Sequence, residues 1–111
     1  ETVSDYKLLH GEALSIGMVA QVKLGNELGF ISEENMNRVI SLYKRANLPI
    51  TIPDYIDKNV LVKKLYTDKK VRDGKLRFVF QKEIGDVMCF GDNAYGLEIA
   101  ENQIAKIIEN M

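Results

Sequence analysis

The sequence contains no tryptophan, a single cysteine, a single histidine and no large excess of charge of either sign. Its 15 lysines and arginines nearly balance its 16 aspartates and glutamates, so it lacks the basic surface that binding to a phosphate backbone requires, and nucleic acid is not a predicted partner. No apolar run reaches the roughly 18 to 20 residues of a membrane-spanning helix. The opening stretch "ETVSDYK" has the pattern of neither a signal peptide nor a transit sequence. We therefore expect no membrane partner.

The one cysteine, Cys89, has no partner for a disulfide within the chain. A domain without disulfides is typical of a reducing compartment, which predicts a cytoplasmic protein. Cys89 lies in the apolar run "DVMCFG", so we expect it to be a buried core residue. It is not a predicted nucleophile, because the chain has no second histidine to act as its base.

Length and apolar content limit the chain to one small domain. Its 111 residues, of which 46% are hydrophobic, are enough for a modest core, and no repeat or long linker divides residues 1–111. Apolar positions recur at helical spacing from about Glu12 to Leu28, which predicts a largely buried first helix with Gly29 at its C-terminal end. The residues predicted to face inward are Ala13, Ile16, Ala20, Leu24 and Leu28, with Leu14, Met18 and Val22 widening the same face.

Two further helices are predicted from their start and stop signals. Ser32 is a predicted N-cap for the second helix, and Pro49 is predicted to end it, because the residue before a proline is pushed out of helical geometry. Asp57 is a predicted cap for the third helix, which runs towards "TDKK". The predicted inward-facing residues are Met36, Val39, Ile40, Tyr43 and Ala46 in the second helix and Val60, Leu61 and Leu65 in the third.

The hydrophobic pattern then changes to the alternation of β-strands. "KLRFVFQ" alternates, and "DVMCFG" is a second β-like run, so we predict a short hairpin. A two-stranded hairpin is marginally stable alone and should pack against the helices. The last segment, "EIAENQIAKIIENM", returns to helical spacing with one apolar face formed by Ala100, Ile104, Ile107, Ile108 and Met111. The predicted fold class is therefore mainly α, a compact helical domain with a small β-hairpin.

The only histidine, His10, stands directly before the first predicted helix, in "LLHGEALSIGM". Its imidazole is able to coordinate a divalent metal, and Gly11 beside it allows close approach of the backbone. A catalytic zinc ion, however, usually takes about three protein ligands, and the chain has no second histidine. From the residues alone, His10 is either a metal ligand or a surface or capping residue, and both interpretations stay open.

A pair of lysines, Lys69 and Lys70, follows Asp68 near the end of the third predicted helix. The helix dipole favours cations there, and such a pair could hold an anionic substrate. The alternative is that they belong to a solvated helix face together with Lys63 and Lys64. The sequence contains neither a P-loop nor a dinucleotide-binding fingerprint.

Several of these segments together resemble one known family. "LLHGEALSIGMV", then "LG", "LP" and "DKK" followed by "GKLRFVF" and "EIG", resemble the C-terminal domain of the 3-dehydroquinate synthase family. Glycerol dehydrogenases share a similar His-Gly-Glu, whereas the later segments resemble dehydroquinate synthase and its sugar-phosphate cyclase relatives. The resemblance implies an NAD- and metal-dependent lyase of the shikimate pathway, which leads to aromatic amino acids. This enzyme converts 3-deoxy-D-arabino-heptulosonate 7-phosphate to 3-dehydroquinate and phosphate.

The resemblance also implies roles for individual residues. His10 matches the family's metal-binding histidine, and Lys69 matches a substrate-contacting lysine, with Lys70 as the alternative. Glu1 corresponds to the last residue of a "GHTxGHAxE" segment, while Glu12 receives no role beyond support of the helix start. In this family two other metal ligands, a glutamate and a histidine, lie upstream.

The resemblance further implies what lies outside the chain. An N-terminal NAD-binding domain precedes this region in the family, so we expect the chain to be a C-terminal domain that is inactive alone. The full-length enzyme is expected to bind NAD, a divalent metal such as zinc or cobalt and a phosphorylated sugar acid, and to form a homodimer. Two alternatives stay open, namely a glycerol-dehydrogenase-like NAD-dependent oxidoreductase and a non-catalytic helical interaction module.

Overall fold

The computed structural model describes residues 1–4, 7–67, 76–91 and 94–111. Within these ranges the mainly α fold class with a small antiparallel β component is confirmed. None of the described helices is long and apolar enough to cross a membrane. The elements in chain order are a short 3-10 helix at Thr2–Ser4, α1 at His10–Glu27, α2 at Glu33–Arg45, α3 at Lys58–Thr67, β1 at Leu76–Val79, β2 at Gln81–Glu83, β3 at Asp86–Val87, β4 at Gly96–Ile99 and α4 at Glu101–Glu109.

The first helix begins at His10 rather than at the predicted Glu12. The reason is a side-chain bond at its start: the carboxylate Oε1 of Glu12 accepts a hydrogen bond from the backbone N–H of Leu9, 2.9 Å away. This bond satisfies one of the backbone donors that a helix start leaves without an intrahelical partner. The expectation that Glu12 supports the helix start is therefore confirmed.

The C-terminal end of α1 is the predicted glycine turn. Gly29 has a φ of +82°, a left-handed conformation that glycine adopts without steric cost. The N–H of Gly29 donates to the carbonyl of Asn26, and that of Phe30 donates to the carbonyl of Gly25 at 2.8 Å. These two bonds form a Schellman motif, which closes the last carbonyls of the helix.

The burial of α1 differs in part from the prediction. Val19, Val22 and Leu24 are buried, but Leu14 and Met18 are 47% and 42% exposed. The apolar positions surround more of the helix than the neighbouring elements cover, so one apolar strip faces outward. The prediction that Leu14 and Met18 widen the buried face is wrong.

The second helix starts as predicted and ends differently. The side chain of Ser32 accepts a hydrogen bond from the N–H of Asn35 at 3.1 Å, which confirms the N-cap. The helix ends through Asn47, whose φ of 59° lies in the left-handed region that asparagine tolerates better than most residues. The helix therefore ends before Pro49, and the proline is not the residue that terminates it. Ala46, predicted to face inward, is the exposed C-cap residue.

The third helix has the predicted cap and a narrower buried face than predicted. Oδ1 of Asp57 accepts hydrogen bonds from the backbone N–H groups of Asn59 at 2.9 Å and Val60 at 3.3 Å. Leu61 and Leu65 are half-buried and pack against the core. The side chain of Val60 is exposed instead of facing inward.

The pairing of the strands differs from the predicted single hairpin. β1 pairs antiparallel with β4, with Leu76 opposite Ile99 and Phe78 opposite Leu97. β2 and β3 form a separate short hairpin around Gly85, whose φ is +90°. Residues Gly96–Ile99 thus form a strand, although the helical spacing predicted that the last helix starts at Glu98. A short apolar run carries no local signal that distinguishes a strand from a helix end, and the partner strand decided the outcome.

The segment after β3 explains why the prediction of a buried Cys89 is wrong. Met88 and Phe90 are half-buried and pack against the core, while Cys89 between them is exposed. Successive side chains of an extended chain point to opposite faces, so burial of both neighbours directs the thiol outward. Its Sγ lies 2.8 Å from the carbonyl oxygen of Gly91.

The aromatic centre of the core is Phe80, which is fully buried. Its ring centroid lies 5.2 Å from that of Phe30, 6.1 Å from that of Phe78 and 6.5 Å from that of Phe90. The ring of Phe80 is tilted against Phe30, stacked with Phe78 and edge-on to Phe90, and aromatic pairs at such distances are favourable. The buried hydrophobic residues around this cluster include Val19, Leu24, Ile52, Ile56, Ile99, Ile104, Ile108 and Met111.

The last helix packs its predicted apolar face onto α1 and α3. Ile104, Ile108 and Met111 are buried and Ile107 is half-buried, as predicted. Ala100 is the exposed N-cap residue and does not belong to that face.

Two glycines in α1 provide a matched test of this packing. A Cβ added at Gly17 would meet no described atom within 4 Å, whereas one at Gly25 would lie 3.2 Å from Cδ1 of Phe80. Alanine at Gly17 should raise the free energy of unfolding by about 0.5–1 kcal/mol, because glycine weakens a helix interior. Alanine at Gly25 should instead lower the free energy of unfolding, because overpacking against Phe80 costs about 1–3 kcal/mol and outweighs the gain in helix propensity. Urea unfolding of both variants measures the difference, and equal stabilisation would show that Phe80 moves aside.

The bond at the start of α1 gives a second test. We expect Glu12→Ala to lower the free energy of unfolding by about 0.5–1.5 kcal/mol, because the N–H of Leu9 loses its acceptor. Glu12→Gln keeps an acceptor oxygen, so its free energy of unfolding should fall by less than that of Glu12→Ala. Chemical denaturation followed by far-ultraviolet circular dichroism measures both, and an unchanged Glu12→Ala midpoint would contradict the capping role.

Candidate functional site

His10 stands at the first position of α1, with its side chain 72% exposed. It borders an open groove of about 340 Å³. The walls of the groove are mainly apolar and come from α1 and β1. The other residues that line it are Glu1, Ala13, Leu14, Gly17, Met18, Gln21 and Phe78. The groove thus combines one imidazole and one carboxylate with an apolar floor.

The carboxylate partner of His10 is Glu1. Oε2 of Glu1 lies 3.1 Å from Nδ1 of the imidazole. An ionised carboxylate only accepts hydrogen bonds, so the contact requires a proton on Nδ1. In the neutral ring this leaves the lone pair on Nε2, the nitrogen that is then able to bind a metal.

The 3-10 helix at Thr2–Ser4 fixes the backbone of Glu1. The buried side chain of Ser4 donates its hydroxyl proton to the carbonyl oxygen of Glu1 at 2.7 Å, and the Ser4 N–H donates to the same oxygen at 3.2 Å. The Ser4 Oγ also accepts from the N–H of Leu8 at 3.4 Å. One buried hydroxyl therefore joins the residue that contacts His10 to the segment that leads into α1.

The outer wall of the groove is braced from two directions. The side-chain amide of Gln21 donates to the carbonyl oxygen of Val79, which ties α1 to the end of β1. The hydroxyl of Tyr43 in α2 lies 2.9 Å from Sδ of Met18. The exposed apolar strip of α1 is thus held in place on both sides.

The donor set near His10 fits part of a metal site. No group of three histidine, cysteine, aspartate or glutamate side chains with the arrangement of a metal site occurs among residues 1–4, 7–67, 76–91 and 94–111. An imidazole whose second nitrogen is held by a carboxylate is the usual arrangement of a metal-bound histidine. The described residues therefore fit one ligand with its supporting carboxylate, and any further ligands would have to come from elsewhere.

The predicted substrate-binding lysines, Lys69 and Lys70, lie outside the described residues. The alternative interpretation placed them on a solvated helix face together with Lys63 and Lys64. Both of those side chains are exposed on α3. The roles of Lys69 and Lys70 remain predictions.

Sequence reasoning missed two polar contacts that shape this region. No periodic pattern in the sequence predicts the contact between Glu1 and His10, because Glu1 stands just before the 3-10 helix and His10 begins α1. The second contact is that of Ser15, which is buried in α1 and donates to the carbonyl oxygen of Pro49 at 2.7 Å. A serine on the inward face of an apolar helix was the available signal, since a buried hydroxyl needs a partner.

Comparison with known families identifies the chain's relatives. A family model described as 3-dehydroquinate synthase C-terminal matches residues 1–71. This span includes His10, Lys69 and Lys70.

Curated relatives agree with the family match. The 3-dehydroquinate synthase of Cyanothece sp. is 46% identical over 88 residues, which cover 78% of this chain and 24% of the relative. That of Thermodesulfovibrio yellowstonii is 40% identical over 109 residues, which cover 97% of this chain and 29% of the relative. The chain thus spans less than a third of the length of either relative.

Solved structures show the same fold. A crystal structure of 2-deoxy-scyllo-inosose synthase, complexed with carbaglucose-6-phosphate, NAD+ and Co2+, superposes with a TM-score of 0.85 at 18% identity. The match covers 98% of this chain and 31% of that one. At this identity the likeness concerns the fold alone. The family match and the curated relatives, taken together, show that this chain belongs to the 3-dehydroquinate synthase C-terminal domain family.

Proposed function

We propose that this chain is the metal- and substrate-binding C-terminal domain of a 3-dehydroquinate synthase. The full-length enzyme would convert 3-deoxy-D-arabino-heptulosonate 7-phosphate to 3-dehydroquinate and phosphate. The observation that carries the proposal is the exposed imidazole of His10, held by Glu1 at the edge of a groove, within the span of the family match. An NAD-binding domain would precede this domain, and the enzyme would be a cytoplasmic homodimer.

His10 would hold a divalent metal, zinc or cobalt, through Nε2. A neutral imidazole suits this task because it binds the ion without cancelling its positive charge. When bound, the metal supplies Lewis-acid stabilisation at a substrate oxygen, and NAD supplies reversible hydride transfer. The other metal ligands and the NAD site would belong to the preceding part of the enzyme.

Lys69 would bind an anionic group of the substrate, and Lys70 is the alternative. An ammonium group beside a phosphate or carboxylate makes a charge-assisted hydrogen bond, which is shorter and stronger than a neutral one. Such a contact orients the substrate so that its reacting carbon atoms stay at the metal and the cofactor. Neither His10 nor Lys69 would carry out the hydride transfer, which belongs to the cofactor.

Two other activities are distinguished by their products. A glycerol-dehydrogenase-like enzyme would release NADH from a simple polyol, whereas a dehydroquinate synthase regenerates NAD within each turnover. A sugar-phosphate cyclase of another specificity would release phosphate from a different sugar phosphate. Codons upstream of Glu1 that encode a glycine-rich βαβ region and a "GHTxGH" segment would support an enzyme. An immediate start codon would support the helical interaction module.

The metal-binding role of His10 gives a direct test. In the full-length protein with NAD and Zn2+, we expect His10→Ala to lower kcat/KM for dehydroquinate formation by at least about 100-fold, because the metal loses a ligand and its charge stabilisation. Phosphate release and 3-dehydroquinate absorbance follow the reaction. Full activity of His10→Ala would remove this residue from the metal shell.

Two controls accompany that test. Leu9→Ala alters the neighbouring side chain, which is 71% exposed, and should leave the activity of the enzyme nearly unchanged. The 111-residue chain without the rest of the enzyme should form no 3-dehydroquinate. A measurable rate from it would contradict the division of the active site between two domains.

The two lysines are tested by comparing single variants. We expect Lys69→Ala to raise KM for the phosphorylated substrate by about 10- to 100-fold, the loss of one charge-assisted hydrogen bond. Lys70→Ala should change KM much less, and Lys64→Ala on the exposed face of α3 serves as the control. Steady-state kinetics at constant ionic strength measure all three. Equal, small effects at Lys69 and Lys70 would favour the solvated-face interpretation.

A further inference from the structure

We propose that Glu1 is a positioning residue for His10: it selects the ring tautomer and orientation in which Nε2 binds the metal. The proposal rests on the proposed function, since it concerns the metal that His10 would hold. It goes beyond that function because it assigns a task to a carboxylate that would not itself touch the metal or the substrate.

The contact geometry supports this task. Oε2 of Glu1 lies 3.1 Å from Nδ1 of His10, within the range of a charge-assisted N–H···O bond. The carboxylate is 36% exposed and the imidazole 72% exposed. The ring is therefore open to a ligand or a second protein surface, while its Nδ1 side is taken by Glu1.

The backbone of Glu1 is held by Ser4, while its side chain contacts His10. Its carbonyl oxygen accepts two hydrogen bonds from Ser4, one from the hydroxyl at 2.7 Å and one from the N–H at 3.2 Å. Ser4 itself is 3% exposed, so the anchor is part of the packed structure. A carboxylate on a fixed backbone loses less conformational entropy when it holds a partner than one on a free chain end.

His10 is anchored independently. It is the first residue of α1, and the preceding backbone N–H, that of Leu9, is bound by the carboxylate of Glu12 at 2.9 Å. Both partners of the contact between Glu1 and His10 therefore have fixed backbones. The hydrogen bond between their side chains then restricts the rotation of the ring, which is the remaining freedom of the ligand.

The two nearby carboxylates consequently have different tasks. Glu12 binds a backbone N–H and supports the helix start, whereas Glu1 binds the imidazole. Each would add one negative charge near a metal ion at His10. Glu12→Gln removes one charge while its amide oxygen can still accept from the Leu9 N–H, whereas Glu1→Ala removes both the charge and the hydrogen bond to the ring.

The experiment measures metal binding by the full-length protein without substrate. The apo protein is titrated with Zn2+ in competition with a chromophoric chelator, and the absorption of bound Co2+ is recorded in the visible range. The variants are Glu1→Ala, Glu1→Gln, Glu12→Gln and His10→Ala. Circular dichroism of each variant establishes that the fold is retained.

We expect Glu1→Ala to weaken Zn2+ binding by about 10- to 100-fold, the usual effect of removing a carboxylate behind a metal-bound histidine. Glu1→Gln keeps an acceptor oxygen and should lie between wild type and Glu1→Ala. Glu12→Gln should change the affinity by no more than about twofold, because its side chain contacts the Leu9 N–H and not the ring, and water and salt screen its charge. The Co2+ spectrum should change in Glu1→Ala and stay unchanged in Glu12→Gln.

The outcomes separate this proposal from the proposed function. Wild-type affinity in His10→Ala would overturn the metal-binding role itself. Weak binding in His10→Ala with wild-type affinity and Co2+ spectrum in Glu1→Ala would overturn only the positioning role. Equal weakening in Glu1→Gln and Glu12→Gln would show a general effect of charge and would also overturn it. If Glu1→Ala loses its fold, Glu1→Gln decides, because the proposal requires it to bind Zn2+ more weakly than Glu12→Gln.

Discussion

The contact between Phe80 and Gly25 is the constraint on which the rest of the domain depends. The Phe80 ring is fully buried, and its Cδ1 lies 3.2 Å from the position that a Cβ at Gly25 would take. This close approach brings the segment after β1 onto α1, and with it Phe78, which lines the groove beside His10. The site is therefore built on the packing of the core, although its polar residues lie at the surface.

The start of α1 shows how a small domain can present an exposed imidazole in a defined orientation. An exposed histidine on a flexible segment would sample several rotamers, and binding of a metal would have to overcome that entropy. Here the 3-10 helix at Thr2–Ser4 holds the backbone of Glu1, the Glu12 carboxylate accepts from the Leu9 N–H, and the Glu1 carboxylate contacts the ring of His10. The order of the site comes from these local bonds.

The exposed strip of α1, formed by Leu14 and Met18, gives the groove an apolar wall. Leu14 and Met18 are accessible although they are large and apolar, and they lie beside His10 in the same groove. The bonds from Gln21 and Tyr43 keep this strip in place. The groove therefore places an exposed imidazole beside an apolar wall, an arrangement that differs from a purely polar surface cluster.

Local patterns in the sequence determined much of the helical part of this protein. Ser32 and Asp57 cap α2 and α3, and Gly29 closes α1, because each of these residues binds or turns the backbone next to it. The apolar periodicity of α4 likewise predicted its buried face. The motif around His10, together with the later segments "DKK", "GKLRFVF" and "EIG", pointed to the correct family. These features depend on neighbours a few positions away, so a single sequence contains them.

The tertiary structure alone decided which segments meet. β1 pairs with β4 rather than with the nearer run after β2, and Cys89 faces outward because its two neighbours turn inward. The contact between Glu1 and His10, nine residues apart, also became visible only in the structure, because it joins exposed side chains of two segments at 3.1 Å and has no periodic signal in the sequence. Pairing and packing depend on which distant surfaces bury the most apolar area together, and no local pattern of residues encodes that choice.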